Sequence, residues 1–237
     1  FSRYAFVYVI QDKLGVADAF RDFLEQSRLI LGNVNARVNF LCIDGGGEYL
    51  TDEMKALVRE ENIWPEVTLP DCPQLNGCSE RFNLSIINKC RAMLLDSGLP
   101  LDFWEMSILQ AARIYNLLPH KTIGLKIPFE LFHKRPVNIK YFKRFGAVAY
   151  ALIPKAKNVT GKFESNGCQC IVLGTKSNLQ HVLLLEKNVL MLSSDLDITE
   201  SVVFGSKFSK DYFVKKGFPK PNFTQKPISK TKFLDDN

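Results

Sequence analysis

Two acidic residues, Asp44 and Glu80, stand where carboxylates can serve metal-dependent chemistry. Asp44 follows the apolar run Val38–Ile43, which is typical of a strand, and functional groups gather at the carboxyl ends of strands in open α/β sheets. Glu80 lies near the start of a long helical pattern, after a loop that contains Gly77. Two carboxylates brought together in this way can share divalent ions that clamp the attacking and leaving oxygens of a phosphodiester. Taken alone, such a pair is more often two solvated surface charges.

The residues around the two acids favour a cleft. Three glycines, Gly45–Gly47, allow a close backbone turn directly after Asp44. On a helical wheel, Glu80 lies at the rim of an apolar stripe, with Arg91 beside it. The members of the stripe are Phe82, Ile86, Ile87, Cys90, Met93 and Leu94. We therefore expect Glu80 to face a cleft while its helix packs on the core.

Strand and helix patterns alternate along the chain up to about residue 140, and they have to position these acids. The predicted strands are Tyr4–Ile10, Val38–Ile43 and Glu66–Leu69. The predicted helices are Val16–Leu31, a helix capped by Thr51 that ends near Glu61, Cys78–Asp96, Leu101–Leu117 and Pro128–His133, with a loop at Pro70–Gly77. This alternation indicates an α/β domain with a partly parallel sheet.

The period changes after about Tyr141, where short strands follow one another without a helix. They are Ala147–Ile153, Gln169–Gly174, His181–Leu185 and Val189–Ser193. A small β-barrel is the natural interpretation. Beyond Phe204 no periodic core is visible. The predicted organisation is therefore residues 1–140 as an α/β domain, 141–204 as a β-barrel and 205–237 as a disordered basic tail.

The positive charge of the chain is concentrated in this predicted tail. The 237 residues carry a net charge of +6, and from Gly205 to Asn237 eight Lys stand against three Asp, which gives +5. Such a segment, with Lys215 and Lys216 near its middle, binds polyphosphate by counterion release. A solvated linker rich in Lys, Pro and Ser is an equally good interpretation.

Cysteine spacing and hydropathy exclude several classes of protein. The six Cys form no Cys-x-x-Cys pair and none has a His at a zinc-ligand interval, so small buried side chains in a reducing compartment are expected. No apolar run is long enough to cross a bilayer, and no secretory signal pattern is present. We expect an intracellular protein rather than a secreted or membrane one. A start at Phe1 is typical of a fragment.

Two segments resemble the signature segments of copia-type retrotransposon integrases. They are 43–50 (IDGGGEYL) and 73–81 (PQLNGCSER), and the 35 residues between Asp44 and Glu80 match the acid spacing of retroviral integrases. The similarity continues in order through LPLDFW, NLLP, PFELF and FGAVAY to about residue 204. Agreement in order over this length is far more specific than any single short motif.

The resemblance implies a ribonuclease-H-like catalytic domain, with a mixed sheet and helices, followed by an SH3-like β-barrel. It implies Mg²⁺ or Mn²⁺ as cofactor, and element-end and target DNA as partners, with a homo-oligomer as a further possibility. It places the protein in a nucleoprotein particle of the nucleus or cytoplasm. Asp44 and Glu80 match the second and third catalytic acids and metal ligands. The expected DNA-binding residues are Gln74, Asn76, Gly77, Arg81, Arg91, Lys215 and Lys216.

The sequence also departs from the family pattern. The family's first catalytic Asp comes from a strand before the segment that matches Ser2-Arg3-Tyr4, so we expect that strand and its acid to be absent and the isolated chain to be unstable. Gly45 stands where the family usually has Asn, and Leu84 where it usually has Arg. Asp71, in the expected DNA-facing loop, repels phosphate. These departures predict impaired catalysis.

Three functions are therefore to be distinguished. The first is an integrase core fragment for DNA integration that is inactive alone. The second is a nucleic-acid-binding or interaction module, derived from a transposon, that performs no chemistry. The third is an ordinary ribonuclease-H-type nuclease, which the loop before Glu80 and the predicted barrel disfavour.

Overall fold

The computed structural model describes residues 1–43, 49, 51–67, 73–152, 167–176, 179–186, 188–209 and 211–217, and for 73–76 it describes only the backbone. The chain divides into two compact units. The first unit contains Phe1–Leu84 and Asn116–Pro136, and the second contains Ser85–Tyr115 and the described residues of Val137–Phe223. This division differs from the predicted boundary at residue 140, because helical residues between 85 and 115 share a core with the sheet that follows.

Helices and strands alternate in the first part of the chain, as a mixed α/β fold requires. The helices are α1 (Val16–Ile30), α2 (Asp52–Glu60), α3 (Pro73–Ser97), α4 (Trp104–Leu117), α5 (Pro128–His133), α6 (Phe204–Lys207) and α7 (Tyr212–Lys215). The strands are β1 (Phe40–Ile43), β2 (Trp64–Val67), β3 (Ala147–Leu152), β4 (Gly167–Lys176), β5 (Leu179–Leu184), β6 (Val189–Ser193) and β7 (Leu196–Val203).

The core of the first unit lies between α1 and α2. Its buried side chains are Ala17, Leu24, Met54, Leu57, Val58 and Ile63. Thr51 caps α2 as predicted, since its hydroxyl accepts a hydrogen bond from the Met54 amide at 3.3 Å. Strands β1 and β2 pair in parallel, from Phe40 opposite Trp64 to Ile43 opposite Val67. The predicted parallel pairing is therefore present, although β2 begins two residues earlier than expected.

The predicted strand at Tyr4–Ile10 is wrong, because residues 1–10 adopt no regular structure. A strand needs a neighbour to take its backbone hydrogen bonds, and a side chain takes this place here. The Ala5 amide donates to Asn116 Oδ1 at 2.9 Å, and Asn116 Nδ2 donates to the Ala5 carbonyl at 2.7 Å. The Tyr4 ring stacks on Phe132, with centroids 4.7 Å apart. The segment is therefore held by one carboxamide and by aromatic packing.

The second unit is built on an antiparallel sheet with the strand order β6-β5-β4-β3-β7. One hydrophobic cluster of this unit joins α3 and α4 to the sheet, and includes Cys90, Phe103, Met106, Ile171 and Leu183. A separate cluster contains the three alanines of β3. Strand β7 was not predicted, and the assignment of this sheet to an SH3-like barrel remains a prediction.

The predicted disordered tail is wrong for residues 205–209 and 211–217. Phe204 at the start of α6 and Phe213 in α7 are buried in the cluster that also contains Phe103. The Phe204 and Phe213 rings stack with centroids 5.4 Å apart, and Phe208 and Tyr212 pack beside them. Burial of these aromatic rings drives the folding of this segment. The Lys-rich composition alone does not indicate that burial. Residues 218–237 lie outside the described part of the chain.

Candidate active site and nucleic-acid interface

Asp44 itself lies outside the described residues, as do Gly45–Gly47. The strand that precedes it in the sequence is described. Strand β1 ends at Ile43, which is buried and pairs with Val67, the last residue of the parallel strand β2. The residue after Ile43 therefore follows the carboxyl end of a parallel pair, which is where functional groups gather in such sheets.

Glu80 lies on the exposed side of α3. The buried side of the helix carries Ile86, Cys90 and Leu94, as the predicted stripe requires, whereas Ile87 is exposed and does not belong to it. Helix α3 begins at Pro73 rather than near Cys78, so part of the predicted Pro70–Gly77 loop is helical. Proline suits a first helical turn because no partner for its nitrogen is needed there. Glu80 is therefore two turns inside a long helix.

The chemistry of the two acids fits a divalent ion, although their separation falls outside the described residues. Among the residues that the structure describes, no hydrogen bond or ion pair occupies the Glu80 carboxylate. Carboxylate oxygens are the ligands that Mg²⁺ prefers, and it takes its remaining ligands from water and phosphate. The described ranges contain no group of three His, Cys, Asp or Glu placed to hold a metal. Asp44 lies outside those ranges.

The residues expected to contact DNA are spread along α3 and the C-terminal helix. Gln74 and Asn76 lie in the first turn of α3, where only the backbone is described. Arg81 is exposed, and its Nε donates to the Gly77 carbonyl at 2.8 Å, which fixes the guanidinium beside the helix start. Arg91 is exposed three turns beyond Glu80 on the same helix. These positions remain predictions for DNA contact.

Lys215 and Lys216 are exposed at the end of α7. Their helix is anchored by the buried ring of Phe213, two residues before Lys215. They therefore project from a folded element of the second unit rather than from a flexible tail. Positive charge held on a folded element costs less ordering entropy when it binds phosphate.

Of the three residues named as unfavourable for catalysis or DNA binding, Gly45 and Asp71 lie outside the described residues. The third, Leu84, is 60% exposed on α3, one turn after Glu80. A large apolar side chain on a solvent-facing turn gains nothing from burial and offers phosphate no charge.

A second group of basic residues, Arg113, Lys176 and His181, could not be predicted from the sequence. They lie in the second unit, where Arg113 Nη1 donates to the Thr175 carbonyl. They are brought together by the register of β4 and β5 and by the packing of α4. Neither the register nor the packing can be read from spacing along the chain.

No described helix of this protein is long and apolar enough to span a bilayer.

No family model matches the chain. Relatives with detectable similarity include retrovirus-related Pol polyproteins of plant transposons. The Pol polyprotein of transposon TNT 1-94 from Nicotiana tabacum is 31% identical over 173 residues, which is 73% of this chain and 13% of the polyprotein. Those of transposons RE2 and RE1 from Arabidopsis thaliana are 27% and 25% identical, again over 73% of this chain. The chain thus spans 11–13% of the length of these relatives.

Solved structures with partial similarity include the HTLV-2 integrase catalytic core domain in complex with magnesium, at 21% identity and a TM-score of 0.36, covering 49% of this chain and 70% of that one. The simian T-cell lymphotropic virus intasome in complex with the PP2A regulatory subunit B56 gamma gives 15% identity and a TM-score of 0.39, covering 77% of this chain and 64% of that one.

Proposed function

This chain belongs to the retrovirus-related Pol polyproteins of copia-type transposons, and we propose that it is the integrase core segment of such a polyprotein. In this role it binds element-end and target DNA and contributes two acids to metal-dependent strand transfer. The proposal is supported by the end of β1 at buried Ile43, the residue that precedes Asp44 in the sequence, and by the exposed carboxylate of Glu80 on α3. That this segment takes part in the activity of the whole polyprotein is part of the same proposal.

The metal in this proposal is Mg²⁺ or Mn²⁺, held by Asp44 and Glu80. A bound divalent ion would supply charge stabilisation for the oxygens of the phosphodiester. The chain's own contribution is to hold the carboxylates and the DNA in place. Arg81, fixed against the Gly77 carbonyl, and Arg91 further along α3 would contact phosphates of the bound DNA.

We expect the 237 residues by themselves to perform no strand transfer. They contain the segments that match the second and third family acids, and a two-metal mechanism also needs a carboxylate that bridges the ions. Leu84 further weakens the contact with DNA, because it places an exposed apolar side chain one turn from Glu80.

The test of this proposal separates DNA binding from chemistry. The 237-residue chain is mixed with labelled element-end duplex, plasmid target and Mn²⁺, and both binding and joined product are measured. The proposal predicts salt-sensitive binding without joined product, and weaker binding by the double variant Arg81→Gln/Arg91→Gln. Joined product from this chain would overturn the claim of inactivity, and binding that is indifferent to salt would overturn the DNA interface.

A second candidate function is a nucleic-acid-binding module that performs no chemistry, and exposed Leu84 favours it. This module would use Lys215 and Lys216 on α7. Substitution of both lysines by Gln removes charge without disturbing Phe213, whereas deletion from Gly205 onward would remove part of the core. DNA binding that depends on these lysines but is unaffected by Asp44→Asn or by divalent ions would favour the second function.

We also propose a cellular location and an assembly state for this protein. A segment that joins DNA ends to a target would work in a nucleoprotein particle in the nucleus or cytoplasm, and as an assembly of more than one copy. Sedimentation with and without element-end duplex would test the assembly.

A further inference from the structure

The antiparallel sheet of the second unit ends in a strand that has an open edge. Strand β6 is the last strand of the sheet, and it pairs with β5 from Val189 opposite Leu184 to Ser193 opposite Gln180. Among the described residues, the backbone of residues 189–193 makes no hydrogen bond beyond this pairing. We call the remaining backbone donors and acceptors of residues 189–193 the β6 edge. An edge of this kind is a template on which another strand can pair.

The side chains of β6 hold this strand in place. Leu190 packs against the hydrophobic cluster that joins α3 and α4 to the sheet. Met191, on the other face of the strand, packs against the cluster that contains the three alanines of β3. Val189 and Leu192 are 50% and 37% exposed. The β6 edge is therefore presented by an anchored strand and is flanked by apolar side chains.

The strand at the opposite end of the sheet, β7, is protected against such pairing. Its Glu200 carbonyl accepts a hydrogen bond from Arg144 Nη1 at 3.1 Å, and the Glu200 carboxylate accepts one from Lys143 Nζ at 3.0 Å. The register between β7 and β3 also shifts once. Charged side chains and irregular register are devices that keep sheet edges from pairing. Strand β6 contains no charged residue, proline or glycine, and its register with β5 is regular.

We propose that the β6 edge pairs in antiparallel fashion with the β6 edge of a second copy of this chain. The inference rests on the proposed function, which calls for an assembly of more than one copy. Antiparallel pairing about a twofold axis is self-complementary, because each strand offers the other the same donors and acceptors. The two five-stranded sheets would then form one continuous sheet.

The side chains of β6 match a second copy of the same strand. An antiparallel register centred on Met191 pairs all five residues of each copy, and it places Leu190 opposite Leu192 of the other copy. These apolar cross-strand pairs stabilise a sheet, and Leu192 is covered in the process. No like charges face each other within the paired residues.

The residues that flank β6 have opposite charges. The sequence has Lys187 two residues before β6 and Asp195 two residues after it. Lys187 lies outside the described residues, and Asp195 is exposed. Continuation of the same register would place each of these charges opposite its counterion in the other copy, which favours a second copy over a strand of unrelated sequence.

The size of the contact sets the strength of the pairing. Two paired strands of five residues bury less than the roughly 1,200 Å² that stable protein interfaces bury. We therefore expect a reversible dimer that grows with protein concentration. A DNA molecule that holds two copies raises their effective concentration and should favour the dimer.

Disulfide crosslinking tests the pairing and its register. Residues directly opposite each other in an antiparallel pair have Cα atoms about 4.5–5.5 Å apart, which a disulfide can span. Met191→Cys should therefore crosslink two copies under mild oxidation. Leu192→Cys is the matched control, because its counterpart lies two positions away along the strand, beyond the roughly 7 Å limit. Both variants are made in a chain in which Cys42, Cys72 and Cys78 are replaced by Ser. Equal crosslinking of both variants, or of neither, would overturn the inference.

A charge placed on β6 tests the pairing without oxidation. Leu192→Lys should weaken self-association about tenfold or more in sedimentation equilibrium, because each dimer would place two Lys side chains over Leu190. Thr199→Lys adds the same charge at an exposed position of β7 and should leave self-association unchanged. Melting temperatures in dilute solution show whether both variants are folded. Self-association that withstands Leu192→Lys in a folded chain would overturn the inference, and crosslinking decides if this variant does not fold.

Hydrogen exchange and DNA binding separate the remaining outcomes. If all five amides of residues 189–193 resist exchange in dilute monomer, a segment of the same chain covers the β6 edge and the inference fails. If the chain binds DNA but Met191→Cys does not crosslink, the inference fails and the proposed function stands. If Met191→Cys crosslinks selectively but no DNA binds, the β6 edge stands and the proposed function fails. If neither occurs, both fail.

Discussion

Leu84 places an exposed apolar side chain where a DNA-binding surface needs positive charge. It is 60% exposed on α3, one turn after Glu80, where the resembled family usually has Arg. We predict that Leu84→Arg strengthens DNA binding and increases the salt slope by about one, because it adds one phosphate contact. Stability should change by less than about 0.5 kcal/mol, since the side chain is on the surface.

Leu95 provides the matched control for this substitution. It is 82% exposed on the same helix, so Leu95→Arg adds the same charge about four turns from Glu80. Anisotropy measurements should show little change for this variant. Equal gains from both substitutions would mean that net charge alone, rather than the surface around Glu80, governs binding.

The ion pair between Asp96 and Arg144 makes a pH-dependent contribution to stability. The Arg144 guanidinium donates to both Asp96 oxygens, at 2.7 and 2.9 Å. These hydrogen bonds hold the pKa of Asp96 below its ordinary value. A lowered folded-state pKa means that the contribution is complete above the unfolded pKa of about 3.9 and is lost as the pH falls through the folded value.

Asp96→Asn should therefore destabilise the chain by about 0.5 kcal/mol at neutral pH, since the pair is partly exposed. The difference should disappear in strongly acidic solution. Urea denaturation at the two pH values measures it. Asp197→Asn, which removes an exposed acid of β7 that has no ion pair among the described residues, should have no effect at either pH. A constant difference across pH would contradict the assigned cause.

Among the elements, the segment of residues 1–10 has one backbone position, Ala5, that is held by a single side chain. Asn116 is buried and bonds both the amide and the carbonyl of Ala5. Asn116→Ala leaves both groups without these partners, and should cost about 1–3 kcal/mol. Hydrogen exchange should show a faster-exchanging Ala5 amide, whereas Asn83→Ala, at an exposed position of α3, should leave that amide unchanged. Protection of Ala5 in Asn116→Ala would show that the aromatic contacts suffice.

Helix α7 tests whether residues beyond 204 belong to the fold. Phe213 is buried against Phe103 and Phe204, whereas its neighbour Val214 is 79% exposed. Phe213→Ala should lower the free energy of unfolding by about 3 kcal/mol, and Val214→Ala should leave it nearly unchanged. Equal, small effects of the two substitutions in denaturant titrations would show that this segment does not contribute to the folded core.

Sequence periodicity predicted the elements whose capping and residue spacing are local. It missed the elements that depend on partners far away in the sequence. Thr51 and the stripe containing Ile86, Cys90 and Leu94 were readable because capping and helical spacing are local. Tyr4–Ile10 has the composition of a strand, but sequence alone does not show that Asn116 replaces its neighbour. The Lys-rich surroundings of Phe213 concealed a buried ring. The β6 edge was invisible because the order of strands in the sheet creates it.

At the scale of the whole molecule, the chain combines two compact units with different roles in the proposed function. The first unit carries β1, which ends before Asp44, and the start of α3 with Glu80. The second carries the antiparallel sheet with the β6 edge, and α7 with Lys215 and Lys216. This separation predicts that substitutions in the β6 edge change self-association without changing metal binding.

The convergence of Asp44 and Glu80 on one metal ion is the central claim, and paramagnetic broadening by Mn²⁺ tests it most directly. The account predicts that the amide signals of Ile43 and Arg81 broaden together as Mn²⁺ is added. Both effects should vanish in Glu80→Gln and persist in Asp96→Asn, which removes a different acid from the same helix. Broadening of only one of the two signals, or broadening of Ile43 that survives Glu80→Gln, would contradict the account.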